Sequence, residues 1–281
     1  MSEADFQTLS LDRRGNGVAV LTLDRPRSAN AISAQLSREL YALVQALRDD
    51  TTVRALVVTG AGRHFCAGAD LRDPEQDAPG WMATARRGVD ALAAMQIPVI
   101  AGLNGTAVGG GMELALACDI RVADAGVKLG LPEIKIGALP GAGGLSRLQA
   151  VIGSSAAMTL VMSGRLITAE EGERLGLVKL AEDGASAVDS AIALAEELAM
   201  MAPYATRTAK LILRQTAGHV TDATMAAEYA LIDRMATPEQ LLVEQRRAAE
   251  RDPVYARIFE DSAAPSTPET SSGDSIPGGL R

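Results

Sequence analysis

The sequence predicts an α/β fold in which strands and helices alternate along the first part of the chain. Short runs rich in Val, Leu and Ile are followed by segments whose apolar residues recur at helical spacing. Hydrophobic residues make up 47% of the 281 residues and charged residues 22%, which is typical of a globular chain with a sizeable core. This alternation predicts helices packed in layers against a sheet.

The N-terminal segment is predicted to form a hairpin followed by a helix. Residues 6–13 and 18–23 read as strands, and Gly15-Asn16-Gly17 between them reads as their turn. Ser33 is predicted to cap a helix because its side chain can accept a hydrogen bond from the first turn. The apolar residues of that helix follow a helical period: Leu36, Leu40, Leu43, Val44 and Leu47.

The middle of the chain continues the alternation and then becomes helical. Residues 55–59 and 98–103 read as strands, with a looser helix between them that carries Met82, Val89, Leu92 and Met95. Thr168 and Glu171 form a predicted capping box, and Gly176 is predicted to end that helix. From Ala185 onward only helical signals remain, including residues 225–235 and 240–251.

Charge and cysteine content restrict the partners and the compartment. The formal net charge of −8 disfavours nucleic acid and anionic membranes as partners. Two cysteines, Cys66 and Cys118, are too few for a disulfide framework and lack metal-site spacing, so we expect no metal. With no signal peptide or membrane-spanning run in the sequence, we expect a cytoplasmic protein.

Several enzyme classes lack their motifs here. A dinucleotide fingerprint after the strand at 55–59 would need glycine at position 65, which is Phe65, and no glycine run is followed by the lysine of a phosphate loop. The two histidines, His64 and His219, lie far apart and give little material for a zinc site or a histidine-based triad. We therefore expect chemistry that uses carboxylates and backbone amides.

Three glycine-bearing stretches each carry an acid: FCAGADL at 65–71, GGGMELALACD at 109–119 and LPEIKIGALPGAGG at 131–144. Glycines at a helix start let an anionic oxygen approach the unpaired amides closely, and an amide from another loop would complete an oxyanion hole. Glu113 and Glu133 beside such a hole are candidates for a general base and a general acid. The alternative for Glu113 is a residue that only complements the helix dipole.

Together with DRPRSANAI at 24–32, the phrases FCAGADL, NGTAVGGGMELALACDIRVA and PEIKIGALPGAGG resemble the enoyl-CoA hydratase/isomerase family, or crotonases, over about residues 6–235. The resemblance implies a spiral of ββα units with a C-terminal helical trimerisation region. We divide the chain accordingly into a spiral core at 1–195, a helical region at 196–260 and a disordered Pro-, Ser- and Thr-rich tail at 261–281. A homotrimer or a dimer of trimers is the implied assembly.

The resemblance also implies a substrate and roles for individual residues. Acyl-CoA thioesters are the implied substrates, with no separate cofactor. The amides of Ala67 and Gly110 would hold the thioester oxygen, Glu113 would deprotonate the attacking water, and Glu133 would protonate the α-carbon. Arg25 and Arg27 would meet the CoA phosphates, with Arg72 close by. The remaining residues implied at the substrate site are Ala29, Ala31, Gly68, Ala69, Asp70 and Leu71.

These residues predict an enoyl-CoA hydratase that adds water syn across a 2-enoyl-CoA to give a 3-hydroxyacyl-CoA. Sibling activities stay open, namely methylglutaconyl-CoA hydratase and Δ3,Δ2-enoyl-CoA isomerase, as does a non-catalytic RNA- or CoA-binding protein. The segment TPEQLLVEQRRAAERDP from Thr237 matches the family poorly, which leaves chain-length preference and subunit contacts open.

Overall fold

The computed structural model describes residues 6–75, 78–216, 222–223, 225–226, 230, 237–251 and 253. Within these residues the strands are β1 (Leu9–Arg13), β2 (Val18–Leu23), β3 (Ala55–Gly60), β4 (His64–Cys66), β5 (Val99–Leu103), β6 (Thr106–Val108), β7 (Ile120–Ala123), β8 (Lys128–Gly130), β9 (Ile167–Thr168) and β10 (Lys179–Leu180). The helices of the same residues are α1 (Ala34–Arg48), α2 (Trp81–Ala93), α3 (Gly110–Ala117), α4 (Gly144–Ile152), α5 (Ser154–Ser163), α6 (Ala169–Arg174), α7 (Ala187–Met200), α8 (Pro203–Thr216) and α9 (Pro238–Arg251).

The strands form two sheets. The larger sheet has the order β1-β2-β3-β5-β7-β10, with β1 antiparallel to β2 and the other neighbours parallel. The smaller sheet has the order β4-β6-β8-β9, with only β9 antiparallel to its neighbour. The α/β class predicted from the sequence is confirmed.

Consecutive strands join the larger and the smaller sheet alternately, which produces a spiral. β3 enters the larger sheet, β4 enters the smaller one, and α2 returns the chain. β5, β6 and α3 repeat this path, and so do β7, β8 and α4, with the 3₁₀ turn Glu133–Ile136 before α4. These ββα repeats stack so that the loops after β3 and β5 lie side by side, as the paired β4 and β6 require.

Alternate residues of the larger sheet face two separate apolar layers. Val58 and Ala101 pack with α1 and α2, while Val57 and Ile100 pack with α7. Helix α7 meets the sheet through a stripe of alanines, Ala187, Ala191, Ala195 and Ala199. A Cβ on Gly102 would lie 3.2 Å from the Cα of Val188, so only small residues allow this approach. The predicted core boundary at residue 195 therefore falls inside a helix that packs against the core sheet.

Local signals in the sequence are confirmed in most places. The Ser33 hydroxyl accepts a hydrogen bond from the amide of Leu36, as the predicted cap requires. Met95 is buried in the core, but it lies beyond the end of α2. The capping box is only half formed: Thr168 accepts from the Glu171 amide, whereas the Glu171 carboxylate pairs with Arg165.

Some predictions fall on residues that the structure does not describe. The helix predicted at 225–235 lies largely outside the described residues, and the 261–281 tail and His219 lie entirely outside them. Among the helices that are described, none combines the length and the apolar character needed to cross a membrane. Within the same residues, no group of three or more His, Cys, Asp or Glu side chains is arranged to hold a metal ion.

Candidate active site

The candidate site lies where the loop after β4 meets the end of β6 and the N-terminus of α3. Helix α3 is buried along almost its whole length, and Glu113 is the acid of its first turn. Glu113 is only 3% exposed, so its carboxylate is not solvated. A carboxylate buried this deeply needs hydrogen-bond donors, because desolvation of an unpaired charge is costly.

The three glycines before Glu113 serve three different purposes. Gly109 has φ +56° and ψ −132°, a conformation that is essentially restricted to glycine. A Cβ on Gly111 would lie 2.1 Å from the carbonyl oxygen of Cys66, so this position must be glycine for β4 to pack against α3. Gly110 lies between them, where the three heavy atoms nearest to a Cβ would be Ile32 Cδ1, Ala69 N and Gly68 Cα, at 3.2–3.6 Å.

The Ala67 amide is not available as an oxyanion donor, which corrects the prediction from the sequence. It donates instead to the carbonyl of Ala29, at 3.0 Å. Since an amide N–H makes one good hydrogen bond, that bond would have to break before Ala67 could bind a substrate oxygen. The predicted pair of donors therefore needs a different amide of this loop.

Ala69 supplies the amide that faces Gly110. Ile32 forms a parallel bridge with this loop: it donates to the Gly68 carbonyl at 2.7 Å and accepts from the Asp70 amide at 2.9 Å. Because both bonds of Ile32 go to the residues flanking Ala69, the amide of Ala69 points to the opposite side. There its nitrogen lies 3.5 Å from the position of a Cβ on Gly110, and neither amide donates to another described residue. Ala69 and Gly110 are therefore the two candidate oxyanion donors of the site.

Asn30 holds this arrangement together, and the sequence reasoning missed it. Ala29 and Asn30 both have positive φ, +49° and +55°, in a turn that brings the loop beneath Ala67. The buried side-chain amide of Asn30 donates to the backbone carbonyls of Ala61 and His64, and its oxygen accepts from the backbone amide of Arg25. The sequence does contain a signal for this turn, because asparagine tolerates the left-handed region and Asn30 comes shortly before the helix cap Ser33.

Two backbone amides hold one oxygen of Glu113. The Oε1 atom accepts from the Ala142 amide at 2.6 Å and from the Gly144 amide at 2.9 Å. Hydrogen bonds from two amides to one carboxylate oxygen stabilise the ionised form of the acid. The glycine-rich loop at 141–144 is therefore the binding partner of Glu113, a role that the sequence alone did not indicate.

The surroundings of Glu133, in contrast, favour its neutral form. It begins the 3₁₀ turn Glu133–Ile136, and its Oε1 would lie 3.2 Å from a Cβ on Gly109. Its Oε2 is buried without a hydrogen-bond partner among the described residues. Burial, together with repulsion by the nearby Glu113, raises the pKa of Glu133 to about 8. At neutral pH Glu133 therefore keeps its proton.

The raised pKa of Glu133 predicts a pH-dependent effect of Glu133→Gln on stability. An ordinary glutamate ionises near 4.5, so between that pH and about 8 the unfolded state gives up a proton that the folded state keeps. The wild type therefore loses stability as pH rises through this window, and Glu133→Gln does not. We expect the free energy of unfolding of the variant, relative to that of the wild type, to rise by roughly 2–3 kcal/mol between pH 5.5 and pH 8.5.

Urea unfolding at both pH values measures this gain. Any constant cost of placing an amide at the buried position cancels in the comparison. The exposed Glu197 on α7 provides the control, and Glu197→Gln should follow the wild type at both pH values. If the difference in free energy of unfolding between Glu133→Gln and the wild type is the same at pH 5.5 and 8.5, the raised pKa of Glu133 is contradicted.

The residues predicted to bind CoA lie on the rim of the site. The Arg25 guanidinium pairs with Asp70 at 2.7 Å and donates to the carbonyl of Ala31, so the structure ties it to the 65–70 loop. Arg27 is exposed in the short 3₁₀ turn beside it, and Arg72 is exposed beyond the loop. Of the other predicted residues, Ala31 and Gly68 are buried, Ala29 and Leu71 are half-buried, and Ala67 and Ala69 are exposed.

Comparison with known proteins shows which chains this one is similar to. The family profile described as enoyl-CoA hydratase/isomerase matches residues 13–251. The chain is 39% identical over 228 residues to 2,3-dehydroadipyl-CoA hydratase of Escherichia coli, covering 80% of this chain and 89% of that protein. It is 35% identical over 223 residues to the mitochondrial methylglutaconyl-CoA hydratase of Mus musculus, covering 76% of this chain and 71% of that protein.

A solved structure shares the same architecture. The enoyl-CoA hydratase of Bacillus anthracis superposes with a TM-score of 0.71 at 31% sequence identity, over 91% of this chain and 96% of that chain. The ββα spiral described above is therefore the fold of such hydratases.

Proposed function

The chain belongs to the enoyl-CoA hydratase/isomerase family, and we propose that it hydrates a 2-enoyl-CoA thioester to a 3-hydroxyacyl-CoA. The observation that carries this proposal is the pair of glutamates in unlike environments beside two amides that donate to no other described residue. Glu113 is stabilised as a carboxylate and Glu133 as a neutral acid. Addition of water needs both forms at once, one to take a proton and one to give a proton.

The amides of Gly110 and Ala69 would polarise the substrate. Hydrogen bonds from both to the thioester oxygen draw electron density from the conjugated double bond, so that the β-carbon becomes electrophilic. The N-terminal end of α3 adds its partial positive charge at the same place. The negative charge that develops on the oxygen is then held by donors already in position.

The two glutamates would complete the addition. Glu113 takes a proton from water while the water oxygen bonds to the β-carbon, and Glu133 gives its proton to the α-carbon. Afterwards Glu113 is protonated and Glu133 is ionised, so a net proton transfer between the two sites restores the enzyme. Their closeness, reported by the mutual repulsion that raises the pKa of Glu133, suits that return step.

The hydratase proposal is tested with a panel of thioesters. We expect loss of the enoyl-thioester absorbance with crotonyl-CoA. The panel also includes longer 2-enoyl-CoAs, a 3-enoyl-CoA, and 2,3-dehydroadipyl-CoA and methylglutaconyl-CoA, because relatives are named for the last two. The product is identified as the 3-hydroxyacyl-CoA by mass spectrometry. Conversion of a 3-enoyl-CoA to the 2-enoyl-CoA without hydration would instead identify an isomerase. No turnover of any member contradicts both.

The CoA contacts and the assembly follow from the family resemblance. We propose that Arg27 and Arg72, exposed at the rim, attract the CoA phosphates, with Arg25 supporting the loop through Asp70. The trimeric assembly, the independence of a cofactor and the cytoplasmic location stay predictions.

A further inference from the structure

Two buried arginines hold the loop that binds Glu113. Arg86 of α2 donates from Nε to the carbonyl of Gly141 at 2.5 Å, and Arg147 of α4 donates from Nη1 to the carbonyl of Ala142 at 2.5 Å. Both arginines are only 8% exposed. Buried guanidinium groups are rare, and here both are directed at backbone carbonyls of one loop.

The contact of Arg86 reaches Glu113 through a single peptide group. The Gly141 carbonyl and the Ala142 N–H belong to the same peptide plane. A cation therefore contacts the oxygen of this peptide, while the Glu113 carboxylate contacts its N–H at 2.6 Å. Charges at both ends polarise the peptide in the same direction, which strengthens both hydrogen bonds.

Packing keeps this peptide in one place. A Cβ on Gly141 would lie 2.6 Å from the sulfur of Met82, and a Cβ on Gly144 would lie 2.9 Å from Oε1 of Glu113. The loop thus passes between α2 and α3 with no space for larger residues. Arg147 adds a second brace, since its Nη2 also pairs with Asp90 of α2 at 3.0 Å.

We propose that Arg86 is a positioning residue of the hydration reaction, which holds the Gly141–Ala142 peptide so that its N–H keeps Glu113 ionised and aimed at the water. Arg147 supports the same loop through the next carbonyl. The inference rests on the proposed function of Glu113, but it concerns a residue that does not touch the substrate. It assigns a role to a buried charge that the reaction itself does not use.

Charged groups act on Glu113 from three neighbouring elements. Glu133 faces it from the 3₁₀ turn, Arg86 acts through the peptide from α2, and Arg147 acts from α4 while paired with Asp90. Loss of Arg86 removes one positive group and leaves the others in place. The protonation of Glu113 should then begin at higher pH.

Arg86→Gln and Arg87→Gln form a matched pair on α2, because Arg87 is exposed to solvent. In Arg86→Gln we expect kcat for the enoyl-CoA that the wild type turns over best to fall about tenfold, with KM changed less than about twofold. The acidic limb of the kcat–pH profile should move up by about one pH unit. Arg87→Gln should match the wild type in all three quantities.

A second measurement does not depend on turnover. Infrared titration follows the carboxylate band of Glu113, which is identified by its loss in Glu113→Gln. In Arg86→Gln this band should appear at a pH about one unit higher than in the wild type. A shifted band in a protein that hydrates no enoyl-CoA would support the effect of Arg86 on Glu113 and reject the proposed function. An unshifted band in an active hydratase would reject the effect of Arg86 and support the proposed function.

Arg86→Lys separates the peptide contact from the charge alone. Lysine keeps the positive charge but cannot donate from the position of the guanidinium Nε, so we expect a smaller shift of the acidic limb and of the infrared band, in the same direction. If Arg86→Gln does not fold, Arg86→Lys carries the test. An acidic limb and band equal to those of the wild type in folded Arg86→Lys overturn the proposal.

Discussion

Replacing Glu113 by glutamine is expected to lower kcat for enoyl-CoA hydration by about 10³-fold, within the range that a positioned general base supplies. Glutamine has nearly the same shape, and its carbonyl oxygen can still accept from the Ala142 and Gly144 amides. It cannot take a proton from water at neutral pH. The expected loss therefore lies in the chemical step, while KM stays near the wild-type value.

Glu133→Gln is expected to lower kcat to a similar extent for the opposite reason. Glutamine has no acidic proton to give to the α-carbon. The wild type should also lose activity above about pH 8, where Glu133 ionises. This basic limb should be missing from any residual activity of Glu133→Gln.

Initial rates over a range of substrate concentration and pH measure both effects. Glu197→Gln on the exposed side of α7 serves as the control and should retain wild-type kcat and KM. Thermal unfolding confirms that each variant is folded. Wild-type kcat in either Glu113→Gln or Glu133→Gln would remove that residue from the acid/base pair.

The second large effect is expected from alanine at two adjacent glycines. In Gly111→Ala, the new Cβ would lie 2.1 Å from the backbone carbonyl of Cys66, and neither element can move without disturbing β4 and α3. We expect this substitution to lower the free energy of unfolding by about 3 kcal/mol or more. Poor yield of folded protein would be the first sign.

Gly110→Ala should keep the fold and lose the activity. Its Cβ would lie 3.2 Å from the flexible end of Ile32 and 3.5 Å from the Ala69 nitrogen, so the structure can accept the methyl group. The methyl group, however, stands between the two amides that are to hold the thioester oxygen. We expect kcat/KM to fall by about 10²–10³-fold, with stability changed by about 1 kcal/mol or less.

Urea unfolding and steady-state kinetics on the two variants separate the roles. The expected pattern is loss of stability in Gly111→Ala and loss of activity in folded Gly110→Ala. Wild-type activity in Gly110→Ala would contradict the catalytic role of Gly110. Wild-type stability in Gly111→Ala would contradict the packing role of Gly111.

Local chemistry in the sequence was enough to predict several elements. The Ser33 cap and the helical period of α1 depend on residues within one or two turns, so the sequence reports them directly. The glycine run before Glu113 likewise indicated a close approach at a helix start. The division of labour among Gly109, Gly110 and Gly111 did not follow from the run, because it depends on Glu133, Ile32 and Cys66, which come from other strands and turns.

By itself, the sequence determined the α/β class, the family, and the residue types of the site, including both glutamates. Only the tertiary structure decided that the Ala67 amide already donates to Ala29 whereas the Ala69 amide donates to no other described residue, because the bridge between Ile32 and the 65–70 loop sets which N–H groups are already used. It also decided that Glu133 keeps its proton at neutral pH. The pKa of a carboxyl group depends on burial and on donors brought from distant positions, here the amides of Ala142 and Gly144 for Glu113 and none for Oε2 of Glu133 among the described residues.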